Sequence, residues 1–227
     1  MNELLMICIL IIGIITIIIS NKLLDTFGLK MIFISFSFIS LVLSFKHLTL
    51  STLNINSSTL TYCVMYTAIC LLLEKDNKKD PKKIINLNFI LNILSSLLLY
   101  IMSIYTQSLN DTIGINMTNV FIINYRVLII YPISTFISSK VLLFIYRKVK
   151  DIYDNIFISM VTTYMAIGII NLIIINFVSY TNILKVSTII KILLSTYMVS
   201  LIVIVLYSII ITFLSSKKVI KWIILIY

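Results

Sequence analysis

The chain has 227 residues, of which 60% are hydrophobic and 11% are charged, and its formal net charge is +10. A soluble domain is usually about 45–50% apolar and about 25% charged, so this composition excludes an ordinary soluble domain. Strongly basic proteins often bind nucleic acid, but here the basic residues lie mostly between apolar segments, as the positive-inside rule of membrane proteins requires. We therefore expect a lipid bilayer as the surroundings, and no nucleic acid as a partner.

Seven apolar segments follow one another along the chain, each bounded by polar or charged residues. They cover residues 4–19, 30–45, 59–73, 84–105, 120–146, 156–178 and 187–214. A helix needs about 20 apolar residues to cross about 30 Å of hydrocarbon, and none of the segments shows the alternation of a membrane β-barrel. The sequence predicts an all-α, polytopic membrane helical bundle of about seven transmembrane helices, in a single domain over residues 1–227.

The distribution of lysine and arginine predicts the orientation of this bundle. Thirteen basic residues occupy alternate connections and the C-terminal tail, within residues 20–30, 75–83, 147–150 and 217–221. The connections on the other side hold only Lys46 and Lys185. Because basic residues favour the cytosolic side, we predict an N-terminus outside, a C-terminus inside and a multi-pass protein of the plasma membrane (inner membrane) of a bacterium.

Groups that commonly carry chemistry are sparse in the apolar segments. No aspartate or glutamate lies in the middle of a segment, and the one histidine, His47, lies in a connection. Proton-coupled carriers usually hold a carboxylate or histidine within the membrane, and hydrolysis or phosphoryl transfer needs a nucleophile with a base or a metal cluster. The cysteines have neither CxxC spacing nor a histidine partner. We expect no enzyme, no catalytic residues, no metal and no cofactor.

Two basic residues in the fifth segment have two interpretations. Arg126 and Lys140 are fourteen residues apart, which places them within about 40° of the same face of a helix. Either they line a path for a solute, or their long side chains reach the two membrane interfaces. Lys191 in the seventh segment is interpreted as an anchor at the outer interface.

Neutral polar and aromatic residues are the other candidates for a binding cavity. They are Tyr62, Tyr66, Asn92, Tyr131, Ser138, Ser139, Thr163, Asn171 and Tyr197. Amides can bond the edge of a flat heterocycle and aromatic rings can stack on its face. The alternative is that these groups only join helices, as serine, threonine and asparagine also do in lipid.

The connection after the third segment resembles a signature of the queuosine precursor transporter family, also called the VUT family. The stretch from Cys70 to Lys83 reproduces the glutamate of the signature as Glu74, its acid as Asp80 and both pairs of basic residues. Asn77 stands at the glycine position of the signature, and asparagine tolerates the same left-handed backbone.

Further motifs of this family match in the same order. Arg126 resembles the arginine of a Pro-Arg-Ile motif, and Ser138 the serine of a Ser-Gln-x-x-Asp motif. Asn171 stands at the aspartate of a Gln-x-x-Asp motif, although an alternative register places Asn155 there. Ser195-Thr196-Tyr197 resembles the Thr-Thr-Tyr that opens the last helix.

Several charged positions of the family are neutral here. Cys70 replaces the first aspartate, Ser139 and Leu142 replace a glutamine and an aspartate, and Ser200 replaces a lysine of the last helix. The chain therefore resembles a divergent member whose solute contacts are mostly uncharged.

The resemblance implies a transporter that imports a small, flat, nitrogen-rich solute, a 7-deazaguanine precursor of queuosine. The residues expected to line or gate its path are Glu74, Arg126, Ser138, Asn171 and Tyr197. Two alternatives stay open: a substrate-binding subunit of an ATPase-driven vitamin importer, and an accessory membrane subunit without transport. Homo-oligomerisation is also left open.

Overall fold

A computed structural model describes residues 2–50, 53–75, 80–104, 125–181 and 184–215. The described residues form seven α-helices and one two-stranded β-hairpin. The helices are α1 (Asn2–Leu23), α2 (Asp25–Leu43), α3 (Thr59–Lys75), α4 (Asp80–Ile104), α5 (Tyr125–Tyr153), α6 (Ile156–Leu172) and α7 (Val186–Ser215), and the strands are β1 (His47–Leu50) and β2 (Leu53–Asn56). The predicted all-α, polytopic helical bundle is confirmed.

The outer surface of the described bundle is apolar. Large hydrophobic side chains are widely exposed, among them Leu98 at 59%, Ile202 at 55% and Phe213 at 65%. Soluble proteins rarely expose such extensive apolar surface, whereas hydrocarbon chains cover it without cost. Six helices, all except α3, are long and apolar enough to cross a membrane. The chain is therefore a multi-pass membrane protein.

Helix α3 forms the centre of the bundle. It has 17 residues, and every residue from Thr59 to Leu73 is buried, because α3 packs against α1, α2 and α7. A glycine allows this close packing, since a Cβ atom on Gly13 of α1 would lie 2.5 Å from Val64 Cγ2 and 2.6 Å from Tyr207 Oη. Small residues bring membrane helices together in the same way elsewhere.

Ion pairs gather at one end of the bundle, which we call the charged end. The connections from α1 to α2, from α3 to α4 and from α5 to α6 all lie there. The ion pairs seen here between described residues are Lys30–Asp80, Lys75–Asp25, Lys150–Glu74 and Lys150–Asp154. The lysine-rich connections assigned to the cytosol thus share one side, as far as the described residues show. Lys78, Lys79 and the basic tail lie outside the described residues, and the N-out orientation stays a prediction.

The β-hairpin marks the opposite end of the bundle, which we call the hairpin end. Its strands pair antiparallel with His47 opposite Asn56, and Asn2 Nδ2 of α1 donates a 2.8 Å hydrogen bond to the Thr49 carbonyl. These strands were not expected from the sequence. Each has only four residues, too few for an alternating pattern to stand out between two long apolar segments.

The helix boundaries differ from the predicted segments mainly where polar residues stay helical. The connection expected over residues 20–30 is almost entirely helical, because Leu24 alone separates α1 from α2 and its N–H bonds the Ser20 carbonyl at 3.0 Å. Helix α5 continues past residue 146 to Tyr153. Residues 105 and 120–124, predicted as ends of apolar segments, lie outside the described residues.

Candidate functional site

A small polar cavity lies inside the bundle, in the half nearest the hairpin end. Its lining comes from the hairpin and from helices α3, α5, α6 and α7. The lining residues are Asn56, Ser58, Thr59, Tyr62, Tyr131, Tyr164, Asn171, Leu172, Ile175, Thr196 and Ser200. The volume of the cavity that is open to the centre of a water molecule is about 20 Å³, so the cavity holds about one water.

The end of α6 places Asn171 at this cavity. The α-helix stops at Leu172, and residues Ile173–Val178 continue as a π-helix. Leu172 and Ile175, on either side of the change, both line the cavity. The wider π-helical turn alters the direction of the side chains that follow, and such turns occur frequently at functional sites.

Asn171 is held by two serines of α5. Ser134 Oγ donates a 2.7 Å hydrogen bond to Asn171 Oδ1, and Ser138 Oγ lies 3.4 Å from the same atom. Asn171 Nδ2 donates no hydrogen bond to any residue that the structure describes. The oxygen of the amide is therefore engaged within the protein, while both N–H groups of the buried amide are free to bind a guest in the cavity.

Three tyrosines form the walls of the cavity. Tyr62 Oη lies 3.5 Å from Ser138 Oγ, and Tyr131 Oη donates a 3.1 Å hydrogen bond to the Ser37 carbonyl. Tyr164 meets Tyr66 edge to face, with ring centroids 4.9 Å apart. Their hydroxyl groups are largely used within the protein, so the rings offer mainly flat aromatic surface.

The hairpin covers the cavity from its own end. The Asn56 N–H donates a 3.3 Å hydrogen bond to Thr196 Oγ1 of α7, and Asn56 Oδ1 accepts a 2.8 Å hydrogen bond from Ser58 Oγ. His47, at the start of the hairpin, packs on Tyr180 with 4.9 Å between ring centroids. Burial lowers the pKa of His47. The hairpin is thus a neutral, well-packed cover at neutral pH.

The electrostatics of the cavity are simple, because every residue that lines it is uncharged. Burying a charged solute there would cost much free energy without a countercharge, whereas an uncharged polar solute needs only hydrogen bonds. Among the described residues, no cluster of three His, Cys, Asp or Glu side chains could hold a metal ion.

Of the five residues proposed from the sequence, Asn171 lines the cavity, and Ser138 lies directly behind it through its contacts with Asn171 and Tyr62. Glu74 lies at the charged end, where Tyr146 Oη donates a 2.7 Å hydrogen bond to its Oε1 and Lys150 Nζ lies 3.0 Å from its Oε2. It is therefore far along the bundle from the other two.

The remaining two proposed residues lie near the cavity but do not line it. Arg126 Nη1 donates a 2.8 Å hydrogen bond to the Thr181 carbonyl, at the hairpin end. Tyr197 Oη donates a 3.1 Å hydrogen bond to the Met165 carbonyl, and its ring packs against Gly168. Arg126 is thus placed to tie α5 to the end of the π-helical segment, while Tyr197 joins α7 to α6.

Several lining residues were missed from the sequence. Thr196 and Ser200 are four residues apart and share a face of α7 with the buried Val203, whereas Tyr197 is turned by about 100°. Comparing helix faces would have selected Thr196 in place of its neighbour. Asn155, the alternative to Asn171, caps the start of α6 by accepting hydrogen bonds from the Phe157 and Ile158 N–H groups.

Two other residues considered from the sequence, Asn92 and Tyr66, join helices, and so does Asn88, which was not considered. Asn88 Nδ2 and Asn92 Nδ2 donate to Ser37 Oγ at 3.0 and 2.8 Å. Tyr66 Oη donates to the Met160 carbonyl at 2.8 Å. These bonds link α4 to α2 and α3 to α6, which is the packing interpretation for those residues.

Buried hydroxyl groups continue along α6 from the cavity toward the charged end. Thr163 Oγ1 and Ser159 Oγ are buried and have no hydrogen-bond partner within the described part of the chain. They lie about 12 and 18 Å from Asn171 along the helix at 1.5 Å per residue. A buried hydroxyl without a partner lowers the stability of the folded protein. Thr163 and Ser159 are therefore unused hydrogen-bonding groups between the cavity and the charged end.

No protein-family model, curated protein or solved structure matches this chain. The likeness to the queuosine precursor transporter family is therefore carried by the motifs quoted from the sequence. The cavity supplies an independent basis for a functional proposal.

Proposed function

We propose that this protein is a membrane transporter that imports a small, flat, uncharged, nitrogen-rich solute, and that this solute is a 7-deazaguanine precursor of queuosine. The observation that carries the proposal is the free amide of Asn171 in a buried, neutral cavity with tyrosine walls. The solute class follows from the lining, and the particular solute follows from the resemblance.

The lining groups match the chemistry of such a solute. The Asn171 N–H groups can donate to a ring nitrogen or carbonyl, and the hydroxyls of Thr196 and Ser200 can donate or accept. The rings of Tyr62 and Tyr164 can pack on a flat heterocycle. Each hydrogen bond contributes about 0.5–1.5 kcal/mol, and a solute that leaves a buried partner unpaired loses more. This asymmetry would favour a nitrogen-rich heterocycle over an apolar molecule of the same size.

Transport requires a second conformation, because the described cavity holds about one water and a nucleobase is several times larger. Two hydrogen bonds are among the contacts that must open. The hairpin meets α7 through the bond from Asn56 to Thr196, and the π-helical segment meets α5 through the bond from Arg126 to Thr181. Pro132 leaves one backbone carbonyl of α5 without its usual helical partner and favours a bend beside the cavity.

The experiment is complementation of cells that cannot import queuosine precursors. We expect the protein to restore queuosine in tRNA, and Asn171→Leu to abolish the restoration because leucine keeps the volume without the amide. The matched control is Thr162→Val, since Thr162 is exposed and bonds only the Ile158 carbonyl of its own helix. Equal amounts of the variants in the membrane fraction must accompany the comparison. No restoration by the unaltered protein would contradict the assigned solute.

The size of the cavity favours one second candidate, an accessory membrane subunit whose polar groups only join helices. Bonds such as those from Asn88 and Asn92 to Ser37 already serve that purpose. Under this candidate, Asn171→Leu would lower stability without changing the uptake of any solute. Thermal unfolding and uptake, measured on the same variant, separate the two functions.

A further inference from the structure

A basic pocket lies between α4 and α5 at the charged end, outside the candidate solute site. It has a volume of about 290 Å³, and its lining residues are Lys82, Lys140, Leu143, Phe144, Arg147, Lys148 and Asp151. Four cations thus face a single carboxylate. Excess positive charge on a pocket wall attracts an anion.

The cations of the pocket are held in place by neighbouring groups. Lys140 Nζ donates a 2.7 Å hydrogen bond to Asn86 Oδ1 and lies 5.1 Å from the centre of the Phe136 ring. Lys148 Nζ lies 4.3 Å from the centre of the Phe144 ring. These contacts orient the ammonium groups, and neither group forms an ion pair within the described part of the chain.

Arg147 has an unused donor. Its Nη2 atom is buried and has no hydrogen-bond partner among the described residues. A buried guanidinium nitrogen without an acceptor is costly. Arg147 lines the basic pocket, so a turn of its guanidinium toward an anionic oxygen bound there would satisfy this nitrogen.

A separate apolar groove lies on the same two helices, on the side of the basic pocket nearer the hairpin end. Its volume is about 540 Å³, and its lining residues are Phe89, Ile93, Ser96, Leu97, Tyr100, Leu128, Ile129, Pro132 and Ile133. The rings of Phe89 and Phe136, 4.4 Å apart between centroids, lie between the groove and Lys140. Ile133 lies seven residues before Lys140, which is about two turns of α5. The two residues are therefore on about the same face of the helix, about 10 Å apart along it at 1.5 Å per residue.

We propose that the α4–α5 face binds an anionic phospholipid, with its phosphate in the basic pocket and an acyl chain in the groove. The charged pocket and the apolar groove follow one another along the helix axes, as the phosphate headgroup and the acyl chain do in such a lipid. A soluble phosphate compound would leave the groove unused, and an apolar partner helix would leave four cations unmatched. Basic pockets between membrane helices on the cytosolic side commonly bind anionic headgroups, which agrees with the predicted side of the charged end.

The lipid would act on the packing of α5. This helix carries Ser134 and Ser138, which hold Asn171, so an occupied α4–α5 face stabilises the helix that supports the cavity. The lipid proposal does not depend on the identity of the transported solute, or on transport at all.

The test is native mass spectrometry of the purified protein, titrated with phosphatidylglycerol or phosphatidylcholine of the same chains. We expect phosphatidylglycerol to bind more tightly, and the pair Lys140→Gln with Arg147→Gln to weaken it about 30-fold, since each cation near an anionic headgroup is worth about a fivefold change in affinity. The matched control removes two exposed cations of the hairpin end, Lys185→Gln with Lys191→Gln, and should leave the affinity unchanged.

Two further measurements complete the test. Lys82→Gln, on the exposed start of α4, should weaken the lipid about fivefold without affecting folding, which keeps the proposal testable if the Arg147 variant unfolds. Inorganic phosphate at millimolar concentration should fail to displace the lipid. The proposal would be overturned if the Lys82 variant bound phosphatidylglycerol as tightly as the unaltered protein. It would also be overturned if the hairpin-end control lost as much affinity as the Lys140/Arg147 variant, or if free phosphate displaced the lipid.

Discussion

Ser134 Oγ of α5 donates a 2.7 Å hydrogen bond to Asn171 Oδ1 of α6. This bond joins two helices and also fixes which face of the amide turns toward the cavity. With the oxygen engaged by Ser134, the nitrogen is left for a solute. One serine thus sets the donor character of the candidate site.

We predict that Ser134→Ala lowers the affinity for solute without abolishing uptake. The change removes one buried hydrogen bond, worth about 1 kcal/mol, and lets the Asn171 amide rotate. We expect an apparent KM about fivefold higher, with little change in the maximal rate. Ser139→Ala on the same helix is the control, because Ser139 is also buried but, unlike Ser134, forms no hydrogen bond with Asn171 among the described residues. Equal effects of the two substitutions on KM would show that Ser134 does not orient Asn171 for solute binding.

Arg126 is predicted to gate the hairpin end. Arg126→Ala breaks the bond from Nη1 to the Thr181 carbonyl, so the end of the π-helical segment should exchange its amide hydrogens faster. We expect uptake to be lost while the protein still inserts into the membrane. Hydrogen exchange and uptake, measured on the same variant, check both parts. Normal uptake with unchanged exchange would show that Arg126 only anchors α5 at the interface.

Tyr146 is predicted to stabilise the charged end. Tyr146→Phe removes the 2.7 Å hydrogen bond to Glu74 Oε1 and leaves the ring packed, so the loss should be about 1–2 kcal/mol for a bond to a partly exposed charged group. Thermal unfolding in detergent measures it. The control is Tyr153→Phe, because Tyr153 is 56% exposed at the end of α5. If Tyr146→Phe left the unfolding temperature unchanged, Glu74 would be held by Lys150 alone.

His47 is predicted to make the stability of the hairpin depend on pH. Burial lowers the pKa of His47 below its ordinary value of 6.5, so below pH about 6.5 the unfolded chain binds more protons than the folded one. Stability should therefore be full above that pH and fall as the pH decreases toward the lowered pKa. Unfolding temperatures from pH 7.5 to 5 measure this loss. His47→Gln should show a smaller loss over the same range, and an identical pH profile would contradict the assignment.

The sequence predicted the bundle well because long apolar segments have few alternatives in lipid. Segment 156–178, for example, matches α6 and the π-helical Ile173–Val178 together. The change from α to π within it, like the hairpin, depends on packing against other helices and leaves no local pattern. The same limit explains why the central position of α3 was not predicted, since its composition resembles that of a lipid-facing segment.

The candidate site was predicted only in part for a related reason. Asn171 and Ser138 stand out in the sequence as polar residues in apolar surroundings, and they do meet. Thr196 and Ser200 match the same description, but their common face on α7 becomes decisive only once the neighbouring helices are known. Glu74 was selected through a motif, and its distance from Asn171 along the bundle follows from the order of the helices.

The most direct test of the proposed transport is counterflow in proteoliposomes that contain only the purified protein. Vesicles loaded with an unlabelled 7-deazaguanine precursor are diluted into a trace of the labelled compound, so no energy source or second subunit is needed. The account predicts transient accumulation of label by the unaltered protein and by Thr162→Val, and none by Asn171→Leu. Equal accumulation with Asn171→Leu, or no accumulation by any folded variant, would contradict it.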